Sequence, residues 1–200
     1  MASGESQWIT GPQARSDVQR IRAESSAVIT GIGTLLQDDA ALTVRAEQFD
    51  IERFSDSVSS SSDRAVSIDE IIQNQPLRVV MDSQARMSLA SRLLETKSPV
   101  LWVVSDDISF NSAQSAVAEL AFVDVLALPS PSSAETLRKL LSYLSLMECN
   151  EVLVEAGSTL AGSFVEAGLW DELIVYMAPK LLGGQARPLL NLPIDKMMDA

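Results

Sequence analysis

Six short apolar runs alternate with helix-like stretches along this chain. That alternation limits the fold more than any other feature. The runs fall at 27–30, 77–81, 100–104, 121–128, 152–154 and 173–179. Stretches at 11–25, 112–120 and 134–147, a shorter one around 89–94 and the segment from 158 to 167 carry helix-like patterns. Runs of aliphatic and β-branched residues without polar alternation read as strands covered on both faces. Strands separated by helices make crossover units, so the sequence predicts an α/β domain with a largely parallel sheet. Ligands of such sheets sit beyond the carboxyl ends of the strands. The polar residues there are Gly31, Asp82, Ser83, Ser105 and Glu155; turn chemistry alone also accounts for Asp82, Ser83 and Ser105.

The segment 151–163, EVLVEAGSTLAGS, is the most chemically suggestive. A strand at 152–154 meets a carboxylate, Glu155, then Gly157, Ser158 and Thr159 open a helix. Free N–H groups and the helix dipole at such an opening suit a phosphate. The same residues also serve as simple caps, and the sequence leaves both readings open.

Within the first helix, 11–25, Pro12 suits the first turn and Thr10 is a candidate cap. Ala14, Val18 and Ile21 mark its apolar face, and Arg15 and Arg22 share another. A short strand, the Gly31-Ile-Gly33 turn and one helical turn at 34–37 follow. Residues 46–76 are rich in serine and acidic groups and read as a surface insertion, with a helical turn near 67–72. In the helix at 134–147, Leu137, Leu140, Leu141 and Leu144 form the stripe.

Absences narrow the chemistry. The chain has no histidine and one cysteine in 200 residues. That removes Ser-His-Asp and Cys-His mechanisms, imidazole zinc sites and internal disulfides, so no metal is expected. The lone cysteine fits a reducing cytoplasm. Cofactor-borne chemistry such as hydride transfer suits a chain short of proton shuttles. A net charge of −12 argues against nucleic acid and anionic membranes. No apolar run reaches the length of a membrane span, and no signal-peptide pattern opens the chain. Basic residues nevertheless gather in the first quarter, at Arg15, Arg20, Arg22 and Arg45. They are either solvated or set to meet a phosphorylated ligand.

Several blocks together carry a family resemblance. They are MASGESQWIT (1–10), QAR (13–15), RIR (20–22), TGIGTLLQDD (30–39), LTVR (42–45), RVVMDS (78–83), VEAGSTLAG (154–162) and DELIVYMAPKLLG (171–183). In that order and spacing the chain resembles the reductase domain of riboflavin biosynthesis, the C-terminal half of a bifunctional pyrimidine deaminase/reductase. The resemblance implies a dihydrofolate-reductase-like three-layer α/β fold with a mostly parallel sheet. It implies NADPH-dependent reduction of 5-amino-6-(5-phosphoribosylamino)uracil, with hydride transfer to C1' of the opened sugar. Carried over position by position, Ser6, Arg22, Leu42, Arg45 and Glu155 meet the substrate. Trp8, Thr34, Asp38, Ser83 and the run Gly157, Ser158, Thr159, Leu160, Ala161, Gly162 and Ser163 meet NADPH. Lys180 and Arg187 read as solvated charge. The resemblance also suggests a homodimer, and a zinc deaminase domain upstream in the parent protein.

Against the family pattern, residues 1–200 read as one partial domain, missing a first strand and closing strands. Two alternatives follow: a non-catalytic truncated fragment that still holds a dinucleotide, or a reductase of the same fold acting on a pterin. Ser6, Arg22 and Arg45 suit a sugar phosphate better than a pterin.

Overall fold

The computed structural model describes residues 9–48, 68–129, 133–180 and 186–193. Its centre is a five-stranded sheet in the order β4-β3-β2-β1-β5, with every pair parallel. The strands are β1 (Ala27–Gly31), β2 (Leu77–Met81), β3 (Val100–Ser105), β4 (Val123–Leu128) and β5 (Val152–Val154). The helices are α1 (Pro12–Glu24), α2 (Ile32–Asp38), α3 (Ile68–Gln73), α4 (Ser112–Ala118), α5 (Ala134–Leu146) and α6 (Ser158–Glu166).

Two apolar layers flank the sheet, which is why its strands read as unbroken apolar runs. Val28, Val80, Trp102 and Val104 face one layer, with Ile32 and Leu35 of α2 and Val117 of α4. Ile29, Val79, Leu101 and Val103 face the other, with Leu137, Leu140 and Leu144 of α5 and Phe164 of α6. Leu141 is only half-buried at the edge of the α5 stripe. β4 is one of the two outer strands and exposes Asp124 and Val125.

Several sequence expectations need correction. Residues 173–179 form no strand: Leu173, Ile174, Val175 and Met177 are exposed, and among the described residues the segment joins no ladder. Apolar character alone does not make a strand; it needs a neighbour to take its N–H and C=O groups. The 89–94 stretch gives only a 3-10 turn, Arg92–Leu94, while the turn expected at 34–37 widens to α2. β4 starts at Val123, whose N–H is taken by the Leu120 carbonyl in the turn after α4. Gly11, not Thr10, caps α1, and makes no side-chain bond; the Thr10 carbonyl instead accepts from Arg15 at 2.9 Å. Of the 46–76 insertion, 49–67 lies outside the described residues, and α3 occupies its far end.

The inner side of α1 is also not the expected apolar stripe. Ala14, Val18 and Ile21 are half-buried, whereas Gln19 and Arg22 are buried. A polar inner face is tolerable only where partners wait for it, and those partners are Glu155, Thr43 and Arg45.

Candidate active site

Strand order locates the crevice. The chain leaves β1 toward β2 on one side, and β5 returns to the other side of β1. Connections that part from neighbouring strands open a cleft beyond their carboxyl ends. Gly31 ends β1, and Glu155 directly follows β5. The Glu155 N–H donates to the Ile29 carbonyl at 2.9 Å, extending the β1–β5 pairing to the carboxylate.

Arg22 reaches this carboxylate from α1. Its Nε donates to Glu155 Oε2 at 2.7 Å and its Nη2 to Oε1 at 2.5 Å. Its Nη1 donates to the Thr43 carbonyl at 2.9 Å. Such a fork fixes both planes at once. The Arg22 side chain is 9% exposed and that of Glu155 35%, so the carboxylate is the member facing solvent.

Residues 39–45 form a strap pinned at every turn. The Asp39 carboxylate accepts from the Arg92 N–H at 3.0 Å. The Ala41 carbonyl accepts from Arg78 at 3.3 Å, and Thr43 from Arg22 as above. Val44 exchanges two bonds with the Gln75 amide, at 2.7 and 3.2 Å. The Arg45 N–H donates to Gln19 at 2.8 Å, so the second buried polar residue of α1 also serves the strap. Asp39 and Leu42 adopt left-handed backbone, φ 45° and 55°. For a non-glycine residue that conformation costs about 1–2 kcal/mol, and the pinning imposes it.

Beneath the strap lies Arg78, fully buried in β2. It donates to Ala41, to the Leu93 and Ser98 carbonyls and to Thr96 Oγ1 at 3.0 Å. Burial pushes its guanidinium down to about 10. Arg78 thereby ties the strap to the 92–98 loop, which the sequence alone did not reveal. A charge in an apolar strand pattern normally signals an exposed edge.

The substrate-side candidates divide as follows. Arg22 and Glu155 come together directly, and the solvated reading of Arg22 is set aside by its burial. Arg45 follows on the strap, half-buried. Burial and the neighbouring Arg22 and Arg92 charges draw its pKa down, with Glu47 and Glu155 opposing. Leu42 is buried in the core, contrary to an exposed contact position. Ser6 and Trp8 lie outside the described residues.

The cofactor-side candidates lie on α2, just after β2 and at the start of α6. Thr34 is half-buried within α2, and Asp38 is exposed at its end. Ser83 is exposed just after β2. Asp82 beside it is a core residue instead, accepting from Trp102 Nε1 at 3.0 Å and Met87 N–H at 2.9 Å. Gly157 caps α6 in extended backbone with no side-chain cap, and a Cβ there meets nothing within 4 Å. Ser158, Thr159 and Leu160 therefore open the helix with N–H groups that no capping side chain claims. Ala161 begins the internal ladder by donating to Gly157 at 3.1 Å. Gly162 has a separate role: it packs against the Asn191 backbone, whose N–H donates to the Ser158 carbonyl at 3.0 Å. Ser163 bonds back to the Thr159 carbonyl at 3.0 Å within the helix. Lys180 and Arg187 are exposed, and Arg187 donates to Gln37 of α2 at 2.5 Å. No helix among the described residues is long and apolar enough to cross a membrane.

Comparison with known proteins gives this geometry its context. The family model described as RibD C-terminal domain matches residues 1–196. The chain is 40% identical to the riboflavin biosynthesis protein RibD of Escherichia coli (strain K12), over all of this chain and 50% of that protein. It is 34% identical to the 5-amino-6-(5-phosphoribosylamino)uracil reductase of Buchnera aphidicola subsp. Acyrthosiphon pisum, covering 94% of this chain and 83% of that one. A solved structure of Acinetobacter baumannii RibD superposes with a TM-score of 0.74 at 36% identity, covering 100% of this chain and 48% of that one. The chain thus spans about half the length of the RibD proteins it matches. With the family model covering nearly the whole sequence and the parallel five-stranded α/β fold in agreement, this chain belongs to the RibD C-terminal domain family.

Proposed function

We propose that the chain reduces 5-amino-6-(5-phosphoribosylamino)uracil to its ribitylamino product with NADPH, as a step of riboflavin biosynthesis. The observation that carries this reading is the Arg22–Glu155 fork at the mouth of the β1/β5 crevice, with Arg45 following on the same strap. A carboxylate partly open to solvent accepts hydrogen bonds from the polar groups of a pyrimidine or sugar. Arg45 on the strap and Arg22 on α1 suit the phosphate.

The residues present fit a dinucleotide. The uncapped N-terminus of α6, with Gly157 leaving room for close approach, is a donor set suited to a pyrophosphate. The Ser158 and Thr159 hydroxyls, Leu160 and Ala161 continue that wall, while Gly162 packs behind it and Ser163 bonds within the helix; Thr34, Asp38 and Ser83 add polar groups. When bound, the cofactor supplies the hydride. The chain's own contribution is to hold both reactants in register and to fix Glu155 through Arg22, so that no reorganisation is needed when they meet.

In the same reading, residues 1–200 act as one reductase domain with 46–76 as an insertion. The parent protein is cytoplasmic, works as a homodimer and carries a deaminase domain. A thermal-melt titration tests the cofactor assignment. The melting temperature rises with NADPH and less with NADH; equal indifference to both in a cooperatively melting chain rejects it.

A further inference from the structure

Gln19 closes a ring of hydrogen bonds around Arg45. Its Oε1 accepts from the Arg45 N–H at 2.8 Å. The Arg45 carbonyl accepts from the Gln48 N–H at 3.1 Å, at the 3-10 turn Ala46–Gln48. Gln48 Oε1 in turn accepts from Gln19 Nε2 at 3.4 Å. One side-chain amide thus holds both ends of the turn from Arg45 to Gln48. Both backbone polar groups of Arg45 are engaged, its N–H by Gln19 and its carbonyl by Gln48.

Gln19 is 3% exposed, on the inner side of α1. A surface turn needs no such anchor, because water satisfies its N–H groups as well. A buried amide on a helix face is unfavourable unless both of its ends are paired, and here both are paired to one turn of the strap. Arg22 lies three positions further along the same face of α1. It holds the Thr43 carbonyl at 2.9 Å and both oxygens of Glu155. A single helix therefore fixes the backbone on either side of Val44 and the carboxylate at the end of β5. Among the described residues, no group forms an ion pair or hydrogen bond with the Arg45 guanidinium. The backbone of Arg45 is locked, and its charged end is left for a ligand.

We propose that Gln19 is a positioning residue of the site. It sets where Arg45 stands relative to the Arg22–Glu155 fork, and it acts on the substrate only through Arg45. The proposal rests on the reading of Arg45 as a substrate contact of a pyrimidine reductase. It adds to that reading a residue that touches neither reactant.

Steady-state kinetics of the 200-residue chain with NADPH and 5-amino-6-(5-phosphoribosylamino)uracil test it, with thermal melts alongside. Gln19→Met removes both amide bonds at similar length and suits a buried face. It raises KM for the pyrimidine about tenfold, while kcat changes less than about twofold and KM for NADPH stays as it was. Gln19→Glu recovers part of the loss, because a carboxylate oxygen still accepts the Arg45 N–H. Gln48→Ala leaves α1 intact and raises the same KM by a smaller factor, which keeps the test open if Gln19→Met does not fold. In an Arg45→Gln background, Gln19→Met has no further effect on KM for the pyrimidine. If a cooperatively melting wild-type chain shows no turnover, or if Arg45→Gln leaves its KM for the pyrimidine unchanged, the reading of Arg45 fails and the proposal falls with it. If Arg45→Gln raises that KM and neither Gln19→Met nor Gln48→Ala does, the proposal alone is overturned. The same holds if Gln19→Met raises KM for both reactants alike, or by an equal factor with and without Arg45.

Discussion

Arg22 of α1 and Glu155 of the β5–α6 turn, 133 positions apart, close a two-bond ion pair at 2.7 and 2.5 Å. This pair joins the N-terminal helix to the strand end where the crevice opens. It makes the position of the carboxylate depend on a buried cation. Removing Glu155 therefore does two things: it deletes an acceptor at the site and strands Arg22.

Glu155→Ala is expected to destabilise the chain by about 1–2 kcal/mol. That figure is below the value for a fully buried pair, because the carboxylate is partly solvated. Arg22→Gln costs a similar amount, and the double variant costs less than the two combined. Denaturant melts of the four species measure the coupling. Strict additivity contradicts a direct pair.

Arg78→Met is expected to cost about 3 kcal/mol or more. It leaves the Ala41, Leu93 and Ser98 carbonyls without their shared donor in a dry interior. Arg78→Lys recovers little, since one ammonium cannot span those acceptors. Hydrogen exchange should show the strap 39–45 and the loop 92–98 loosening together. Loosening confined to β2 contradicts the staple.

Gly157→Ala and Gly162→Ala separate cofactor binding from packing. Gly157 has open space and an ordinary backbone, so alanine should leave the melting temperature nearly unchanged while weakening NADPH. At Gly162 a methyl runs into the Asn191 backbone, with its C and N at 3.0 and 3.1 Å. There alanine should cost about 1–3 kcal/mol through overpacking. Equal effects of the two substitutions on both readouts rule out this division.

Tyr176 gives a pH signature. Burial, with the hydrogen bond it donates to Asp17 at 2.6 Å, pushes its phenol above the ordinary range. The unfolded chain loses this proton near pH 10, while the folded chain keeps it. Stability from this group is complete below that pH and falls as pH climbs toward the raised value. Alkaline melts of wild type should fall more steeply than those of Tyr176→Phe. The phenolate absorbance of the folded chain, which has two tyrosines, should lose its latest step in the variant. Parallel alkaline melts of the two proteins contradict the assignment.

Much of the scaffold was legible because local pattern and tertiary role agree. β5 spans 152–154 as the sequence indicates, and α6 begins at Ser158 after its glycine. Burial on both faces makes the parallel strands plain in composition. What was not legible depends on partners far along the chain. The 173–179 run has strand-like residues but no neighbouring ladder. The pattern of α1 left Arg22 open between a solvated and a ligand-facing position and gave Gln19 no role, because nothing local announces Glu155 or Arg45. Arg78 lay inside a run read simply as an apolar strand, and Arg92 carried no motif. The strap's left-handed Leu42 is equally silent, since leucine does not advertise that conformation.

The most direct test of the account is to add 5-amino-6-(5-phosphoribosylamino)uracil to the folded chain with NADPH and follow the absorbance of the reduced nicotinamide. The account predicts that the absorbance falls and that one ribitylamino product forms for each NADPH consumed. Arg45→Gln should slow this fall, and Glu155→Ala should slow it further. A cooperatively folded chain that binds NADPH yet consumes none with this substrate would contradict the central claim.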